Sequence, residues 1–471
     1  MDKKMAIVVA VVAIVAIAAI GAFLLTNNSG NSDKQEEKTH SDSEGKMVGT
    51  KIAGSSTPSS ESRLWVYGNA NEDDRMDSTD VQYIQDIVDK KRAATNLADA
   101  NADGVVDEFD IKYARSIVDA DASTKIDVYY IDNYFEVQKV SWPVKTIATS
   151  YCSGLYTAEA TGLTSKIAMV DDTIKTYWSK LNTRLQSVPS HGSVESPDWE
   201  AILTQKIDVY VPGYCEANAD SLARSQLKGM DVMFMNTSDN SGVPYPNEHI
   251  DRSILMFGYL LQGDMDKTYK YMNWHDTNLG KLKDAAAGIK EEDKAHFLMS
   301  RSYPVAGSST YSITGTNNTN NLHAEWVGVY AVGQHSNPLL PNNYNSLTLE
   351  QIYTLVEDGA NKGTNTIYWM DNEHDGLRGQ RDLDVTVAAW AEALKSSPVK
   401  IHYMGMAREA GNSPLYIIEM AFYQNVLYPD LDTGVDFAQM LNYFIDNFTE
   451  EPSKYKQYFD VNNFFKDFGV L

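Results

Sequence analysis

The chain has 471 residues, of which 43% are hydrophobic, enough for two or three domains with apolar cores. Acidic side chains outnumber basic ones, and the formal net charge is −24 at pH 7. Because a nucleic-acid interface needs clustered Lys and Arg to meet the phosphates, this balance argues against nucleic acid as a partner.

The N-terminal segment has the properties of a membrane anchor. From Met5 to Leu25 the sequence runs for 21 residues without a charge, after Lys3 and Lys4. A helix of about 20 apolar residues spans a bilayer, and the lysines would keep its N-terminus inside. A cleaved signal peptide usually has a shorter apolar core, so residues 1–25 are predicted as an uncleaved transmembrane anchor, with a cleaved signal as the alternative. Both place the rest of the chain outside the cytoplasm, at the cell surface.

Residues 26–63 consist mostly of Ser, Gly, Thr, Asn, Lys and Glu. A segment with so few apolar side chains cannot bury enough surface to fold. It is predicted to be a disordered linker.

Two stretches, 30 residues apart, place oxygen-bearing groups at alternating positions. At positions 1, 3, 5, 7, 9 and 12 of a 12-residue loop, the first has Asn69, Asn71, Asp73, Arg75, Asp77 and Asp80. At the same positions the second has Asp99, Asn101, Asp103, Val105, Asp107 and Asp110. Calcium loops supply hard oxygen ligands at these positions, with a backbone carbonyl at position 7. The pattern therefore predicts two bound calcium ions (Ca²⁺).

The loops depart from the EF-hand pattern in three respects. Both have Asp where an EF-hand has Glu at position 12, and the first begins with Asn69 and has Asp74 in place of the glycine at position 6. We therefore expect weaker calcium affinity in the first loop. Asn- and Asp-rich turns on an acidic surface are the alternative, but apolar residues at helical spacing follow both loops in matching register.

Two loop–helix units in tandem, ending in Asp, resemble a type I dockerin over residues 64–121. The resemblance implies a small all-α module that folds around two calcium ions and docks into a cohesin-containing protein. In dockerins positions 10 and 11 contact the cohesin, and in the first repeat these are Ser78 and Thr79. The second repeat has Glu108 and Phe109 instead, which argues against symmetric binding through either repeat.

After residue 121, strand-like and helix-like segments alternate. Strands are predicted in KIAMVDD, IDVYVPGY, EWVGVYAV, NTIYWMD and VKIHYMG, and helices in SPDWEAILTQ, SLTLEQIYTLVEDG, TVAAWAEAL and a long tail. Such alternation indicates parallel sheets with right-handed crossovers. Residues 263–290 have helical spacing without Pro. The predicted fold class is α/β, with two lobes of mostly parallel sheet, 122–262 and 291–471, joined by one long helix.

This order of elements resembles the substrate-binding proteins of ABC importers for iron–siderophore, haem and cobalamin. The resemblance spans about residues 140–461 and rests on WPVKTIATSYCSGLYTAEATGL, ESPDWEAILTQKIDVYVPG and SPLYIIEMAFYQNVLYPDL. It implies a ligand cleft between the lobes, a metal chelate or corrinoid as the cargo, and an ABC importer permease as the partner.

In open α/β sheets ligands bind beyond the carboxyl ends of the strands. The candidate ligand-binding residues in those loops are Tyr151, Tyr156, His191, Tyr214, Glu216, Trp369, Arg378, Arg381 and Arg408. The guanidinium groups would suit an anionic chelate. The alternatives are core positions for the aromatic residues, a solvated histidine, and arginines paired with acids of their own loop.

The two cysteines of the chain, Cys152 and Cys215, follow strands that should be neighbours. Outside the cytoplasm two thiols in this arrangement most often form a disulfide, which is the prediction. A soft metal held by both thiolates, or two separate thiols, are the alternatives.

The predicted function is therefore a substrate-binding protein of an ABC importer that is attached to a cohesin-bearing partner. An enzyme on a two-lobed scaffold is one alternative, although the sequence has neither a G-x-S-x-G nor an H-E-x-x-H motif. The other is a cell-surface assembly component that binds carbohydrate or protein and docks through the dockerin. The sequence leaves ferric siderophore, haem, cobalamin and a free oxyanion open as cargo.

Overall fold

The computed structural model of the chain describes most of the sequence after residue 62. The described residues are 50–51, 58, 62–212, 217–233, 250–305, 307–316, 318–336, 340–374, 377, 383–411, 413–459 and 464–471, without the side chains of 50–51, 217–221, 373–374, 383 and 408. The predicted anchor at residues 1–25 lies outside them. None of the helices in the described parts combines the length and the apolarity that crossing a membrane requires.

Two loop–helix units form a small module between residues 62 and 121. Helix α1 (Ser78–Val88) and helix α2 (Glu108–Val118) begin with the same capping box. In α1 the Asp77 side chain accepts hydrogen bonds from backbone N–H groups of the first turn, and Asp80 accepts from the N–H of Asp77 at 2.9 Å. Such reciprocal caps satisfy N–H groups that have no partner inside the helix. The inward faces of both helices pack against each other.

Two details of the module differ from the prediction. Strand β1 (Thr50–Lys51) lies inside the predicted linker, yet it pairs antiparallel with β2 (Val105–Val106), so the module is not entirely α-helical and residues 26–63 are not disordered throughout. The pairing gives partners to backbone groups at the edge of β2. In addition, Leu64 and Val66 are buried, and Val66 forms a bridge with Tyr130.

The first lobe begins with an antiparallel hairpin that the sequence pattern did not predict. It is formed by β3 (Ile126–Ile131) and β4 (Val137–Trp142), with Val128 opposite Val140. In the described part of this lobe, parallel strands follow in the spatial order β6-β5-β7-β8: β5 (Ile147–Thr149), β6 (Ile167–Val170), β7 (Val209–Val211) and β8 (Asp231–Val232).

Helices of the first lobe cover this sheet. They are α3 (Tyr151–Ala160), α4 (Trp199–Thr204), α5 (Ala217–Gln226) and α6 (Ile250–Leu260). A π-helical turn spans Ile174–Trp178, and 3₁₀ turns span Thr164–Lys166, Ser179–Leu181 and Thr183–Ser187. All residues of α3 are buried, and the helix contacts α6, α7 and the turns at Thr164–Lys166 and Ile174–Trp178.

One long helix, α7 (Met265–Ala286), joins the lobes and lies within the predicted range 263–290. Asp264 caps it, accepting a hydrogen bond from the N–H of Lys267 at 3.0 Å. Tyr271, Met272 and Leu282 are among the residues that α7 buries. The helix therefore contributes to the core as well as connecting the lobes.

The described strands of the second lobe form one mixed sheet in the order β12-β10-β9-β13-β14-β15, with β11 beside β9. They are β9 (His296–Ser300), β10 (Tyr311–Thr314), β11 (Tyr330–Ala331), β12 (Tyr344–Leu347), β13 (Thr366–His374), β14 (Lys400–Ala407) and β15 (Phe465–Val470). Strands β9, β11, β13 and β14 are parallel, whereas β10 is antiparallel to both neighbours and β15 is antiparallel to β14. Strand β9 was not predicted, and of the predicted strand EWVGVYAV only Tyr330–Ala331 is a strand, because the helices Thr319–Trp326 and Val332–His335 take up most of the rest.

The helices of the second lobe are α8 (Thr319–Trp326), α9 (Val332–His335), α10 (Leu349–Gly359), α11 (Leu383–Leu394), α12 (Arg408–Gly411), α13 (Tyr416–Leu427), α14 (Phe437–Phe448) and α15 (Pro452–Tyr458), with a 3₁₀ turn at Glu291–Asp293. The predicted helical tail consists of three helices, α13, α14 and α15, and strand β15, which was not predicted, follows them. Helical structure is interrupted between α13 and α14. In this connection Gly434 has a φ of 64°, a backbone conformation that glycine adopts without steric cost.

One apolar core connects the small module with both lobes. It contains Leu64 and Ile117 from the module, Leu155 from the first lobe, and Phe444 from the second. A second apolar cluster, around Trp369 and Trp390, lies within the second lobe. The module is consequently packed against the large domain over a shared core.

Candidate functional site

The carboxyl ends of β5 and β6 meet at Tyr151. This residue follows β5 with a φ of 64°, a left-handed conformation that is costly for an aromatic residue. Its N–H donates to Asp171 Oδ1 at 2.9 Å, directly after β6. Its ring contacts Trp178 edge-on, with the ring centroids 5.7 Å apart. The strained backbone is thus held by neighbours on both sides.

The two lobes meet at the same end of the sheets. Trp178 of the first lobe donates its indole N–H to Glu409 of α12, with Nε1 3.0 Å from Oε1. The backbone N–H of Leu377 donates to the same oxygen at 3.2 Å, and Glu409 is only 1% exposed. The segments that follow β6 in the first lobe and β14 in the second lobe are therefore in contact at one buried carboxylate.

A second junction between the lobes lies at the end of α3. Glu159 is buried, and it accepts hydrogen bonds from the N–H of Glu450 at 2.7 Å and from Asn182 Nδ2 at 3.3 Å. Burial, together with the charge of Glu450, raises the pKa of Glu159 to about 7. The segment that leads into α15 is thereby joined to the first lobe.

Among the predicted ligand-binding residues, Tyr151 and Tyr156 lie close to this region. Tyr156 is buried between Tyr455 and Phe459, with centroid distances of 6.3 and 6.1 Å. Arg408 begins α12, next to Glu409, and its side chain is outside the described residues. Four other predicted residues lie outside the described residues: Tyr214, Glu216, Arg378 and Arg381.

His191 and Trp369 occupy interior positions. His191 is buried behind the strand ends, with Nε2 3.3 Å from Ser150 Oγ, and burial lowers the pKa of its imidazole. Trp369 lies inside β13, within the predicted strand NTIYWMD, and not in the loop where a ligand contact was expected. Its indole N–H donates to Ser300 Oγ at 2.8 Å and its ring packs on Trp390, because the strand continues to His374 and turns this side chain into the core.

Sequence reasoning missed Asp171, Trp178 and Glu409. Asp171 and Glu409 could have been found by the rule that selected their neighbours, since each directly follows a strand segment. No sequence signal marks Trp178, which lies in an irregular helical turn. Cys152 is buried in α3, and Cys215 lies outside the described residues, so the disulfide stays a prediction.

In the second predicted calcium loop, the predicted ligands accept hydrogen bonds from backbone N–H groups of the same loop. The Asp99 carboxylate accepts from the N–H groups of Asp103 at 3.0 Å and Gly104 at 2.7 Å, and Asp110 accepts from the N–H of Asn101 at 3.2 Å. Burial raises the pKa of Asp99 to about 6 and that of Asp110 to about 8, and neighbouring carboxylates add to both shifts. Buried carboxylates gathered in this way fit a divalent cation, whose charge would offset their repulsion.

The first loop offers a buried acceptor that has no partner. Asn69, at position 1, is 0% exposed, and its Nδ2 donates to the carbonyl oxygens of Leu64 at 2.7 Å and Asp73 at 2.6 Å. Its Oδ1 has no hydrogen-bond partner. A buried amide oxygen without a donor is costly, and a calcium ion would supply the missing interaction. The donor sets of both loops therefore fit calcium.

No family model and no curated protein sequence matches this chain. Solved structures do resemble it. The periplasmic molybdate-binding protein MolA of Haemophilus influenzae, bound to molybdate, is 16% identical with a TM-score of 0.52, over 68% of this chain and 97% of MolA. The fold is that of the periplasmic binding proteins.

Two further solved structures have the same fold. The TroA-like periplasmic binding protein FepB of Veillonella parvula is 12% identical with a TM-score of 0.51, over 68% of this chain and 96% of FepB. CeuE of Helicobacter pylori, with Ni(II) bound, is 13% identical with a TM-score of 0.50, over 71% of this chain and 100% of CeuE. The two lobes and α7 of the present chain thus correspond to a known binding-protein architecture.

Proposed function

We propose that the chain is an extracytoplasmic substrate-binding protein of an ABC importer, which captures an iron chelate or a corrinoid and delivers it to a permease. The observation that carries the proposal is the contact between the two lobes, joined by α7, that Trp178 and Glu409 make in segments following β6 and β14. Ligands of α/β sheets bind at such ends, and a cleft between lobes encloses a bulky ligand.

The cleft chemistry suits a large ligand with flat or cyclic parts. Tyr151 and Trp178, which are 7% and 1% exposed, place two aromatic rings at the contact between the lobes, and opening of the lobes would present them to a ligand. Arg378 directly follows Leu377, and Arg408 directly precedes Glu409, so both arginines lie next in sequence to residues at the contact between the lobes. Guanidinium groups in such places would favour an anionic chelate, whose carboxylates they bind bidentately.

The small module extends the proposal. Its two loops would hold calcium, and Ser78 and Thr79, which are exposed at the start of α1, would contact a cohesin-bearing partner. Residues 1–25 would anchor the protein at the cell surface. A binding protein held in a surface complex in this way would capture its cargo close to the importer.

The test is titration of the purified protein with ferric siderophores, haem and cobalamin, with molybdate and Ni²⁺ included because structurally similar proteins were solved with them. We expect one chelate or corrinoid to bind with a Kd below about 100 μM. If the cargo is anionic, Arg378→Ala, Arg381→Ala or Arg408→Ala should weaken binding on the order of 30-fold for an arginine in contact with it. Arg115→Ala, on the exposed face of α2, is the control.

Absence of binding to the whole panel would contradict the transport proposal. It would instead favour a docked surface component that binds carbohydrate or protein. Binding that survives all three arginine replacements would retain the transport function and remove these arginines from the site.

A further inference from the structure

The small module is attached to the large domain through Arg63. Its guanidinium donates to Asp276 of α7 through two nitrogens, Nη1 to Oδ1 at 2.8 Å and Nη2 to Oδ2 at 2.9 Å. Nη1 also donates to Asp251 of α6 at 3.1 Å. On the module side, Nε donates to Asp74 Oδ2 at 3.0 Å, and Nη2 donates to the same oxygen. One guanidinium thus joins the first calcium loop to two helices of the large domain.

The charges of this cluster are arranged around Arg63 and leave no role there for a metal. Asp251, His275 and Asp276 have ligand atoms within 4.8 Å of one another, which is close enough for a cation. Arg63 already supplies the positive charge between the two carboxylates. Burial opposes ionisation of Asp276, but hydrogen bonds from His275 and Arg63 outweigh it and lower its pKa to about 2.

Asp74 explains the departure of the first loop from the calcium pattern. It occupies position 6, where the second loop has Gly104 with a φ of 93°. A glycine could not reach Arg63, whereas the Asp74 carboxylate forms the ion pair. The next residue, Arg75, contributes a second contact from position 7: its guanidinium carbon lies 4.1 Å from the ring centroid of Tyr269 on α7. Two consecutive residues of the predicted calcium loop therefore link it to α7, Asp74 through Arg63 and Arg75 directly.

Helix α7 also contacts the segment that follows Glu409. Tyr271 donates its hydroxyl to the carbonyl oxygen of Pro414 at 2.7 Å. His275 Nδ1 lies 2.9 Å from Asp276 Oδ1, and its Nε2 is hydrogen-bonded to the hydroxyl of Tyr416 at the start of α13. Glu409, the acceptor for Trp178, lies in α12 a few residues earlier. A continuous set of polar contacts thus runs from the first calcium loop through Arg63 and α7 to α13.

We propose that calcium bound in the first loop acts on the large domain, by holding Asp74 on Arg63 and Arg75 on Tyr269, and thereby stabilising α7 and the segment 413–423. Without the cation, repulsion among Asp73, Asp77 and Asp80 opens the loop. Asp74 and Arg75 then lose their positions, and Arg63 loses one of its three carboxylate partners. The inference rests on the calcium sites of the proposed function and adds a second role for them besides docking.

The experiment is hydrogen exchange followed by mass spectrometry on the full chain, with calcium and with excess chelator. We expect calcium to slow exchange in residues 66–118, in α7 and in 413–423. In Arg63→Gln, calcium should still protect 66–118, but its protection of α7 and 413–423 should fall several-fold. Arg75→Gln, which removes only the contact with Tyr269, should have a smaller effect in the same direction and covers the case in which Arg63→Gln does not fold.

The matched control is Arg92→Gln, because Arg92 pairs with Asp86 inside the module and does not link it to α7. It should behave as the wild type. Calcium protection confined to 66–118 in the wild type would overturn the coupling while leaving the calcium sites intact. Absence of calcium protection in 66–118 would overturn the calcium sites as well. Equal protection of α7 in wild type, Arg63→Gln and Arg75→Gln would also overturn the proposal.

Discussion

Trp178 and Glu409 are separated by 231 residues in sequence, yet the indole Nε1 lies 3.0 Å from the carboxylate Oε1. The contact joins the irregular helical turn after β6 to α12 after β14. Glu409 is buried and also accepts a hydrogen bond from the N–H of Leu377, so donors from both lobes satisfy its carboxyl oxygen Oε1. Losing one of them leaves a buried carboxylate with fewer hydrogen bonds.

Replacing Trp178 by Phe should therefore lower the free energy of unfolding by about 1–3 kcal/mol, since the ring contact with Tyr151 stays while the N–H donor is lost. Chemical unfolding measures this change. Trp199→Phe, at a partly exposed position on α4, is the control and should cost less than about 1 kcal/mol. Equal losses in the two variants would contradict a role for the Trp178–Glu409 bond.

Glu159 should make stability depend on pH. Its pKa is raised from 4.5 to about 7, so the folded state holds a proton that the unfolded state releases between these values. The contribution of protonated Glu159 to the free energy of unfolding is fully present below about pH 4.5 and is lost as the pH rises towards 7. In Glu159→Gln the free energy of unfolding should fall less over this pH range than it does in the wild type. At pH 8 the variant should therefore be more stable than the wild type by about 1–2 kcal/mol.

The measurement for Glu159 is chemical unfolding at several pH values between 4.5 and 8. Glu350→Gln, at an exposed position on α10, should follow the wild-type curve. A pH dependence in Glu159→Gln that is identical to that of the wild type would assign the effect to another group.

The second calcium loop should lose its ion when two of its carboxylates are removed. Asp103→Ala combined with Asp110→Ala deletes the ligands at positions 5 and 12, which a hard cation needs for its oxygen shell. Calorimetric titration of the full chain should then show one calcium ion where the wild type binds two. Asp119→Ala, at the exposed end of α2, should retain both. Unchanged stoichiometry in the double variant would refute the second site.

The cohesin contact should depend on the first repeat. Ser78→Arg with Thr79→Arg places bulky charge on exposed positions at the start of α1, while the cap residue Asp77 is retained. Capture of a cohesin from the same organism should weaken by tenfold or more, or about 1.4 kcal/mol. The same replacements at Glu108 and Phe109 in the second repeat are the comparison. Full affinity in the first variant and loss in the second would move the contact to α2.

Local patterns were sufficient for several parts of this protein. The spacing of Asp99, Asn101, Asp103 and Asp110 predicts a loop, and the structure has that loop followed by α2. The prediction of α7 within 263–290 also holds, because helical spacing over many residues without Pro is a strong signal. The prediction of two α/β lobes follows from the order of strand-like and helix-like segments. In each case the determining interactions lie within one element or between neighbours in sequence.

Other features were decided only by the tertiary structure. The short strands β9, β10, β12 and β15 have too few residues to show a period, so their pairing depends on the rest of the sheet. Trp369 was expected in a loop, but β13 continues past it because its partners β9 and β14 on either side supply hydrogen bonds. Trp178–Glu409 and Arg63–Asp276 join residues 231 and 213 positions apart. Sequence spacing carries no information about such pairs, because they form only when separately folded elements are packed against each other.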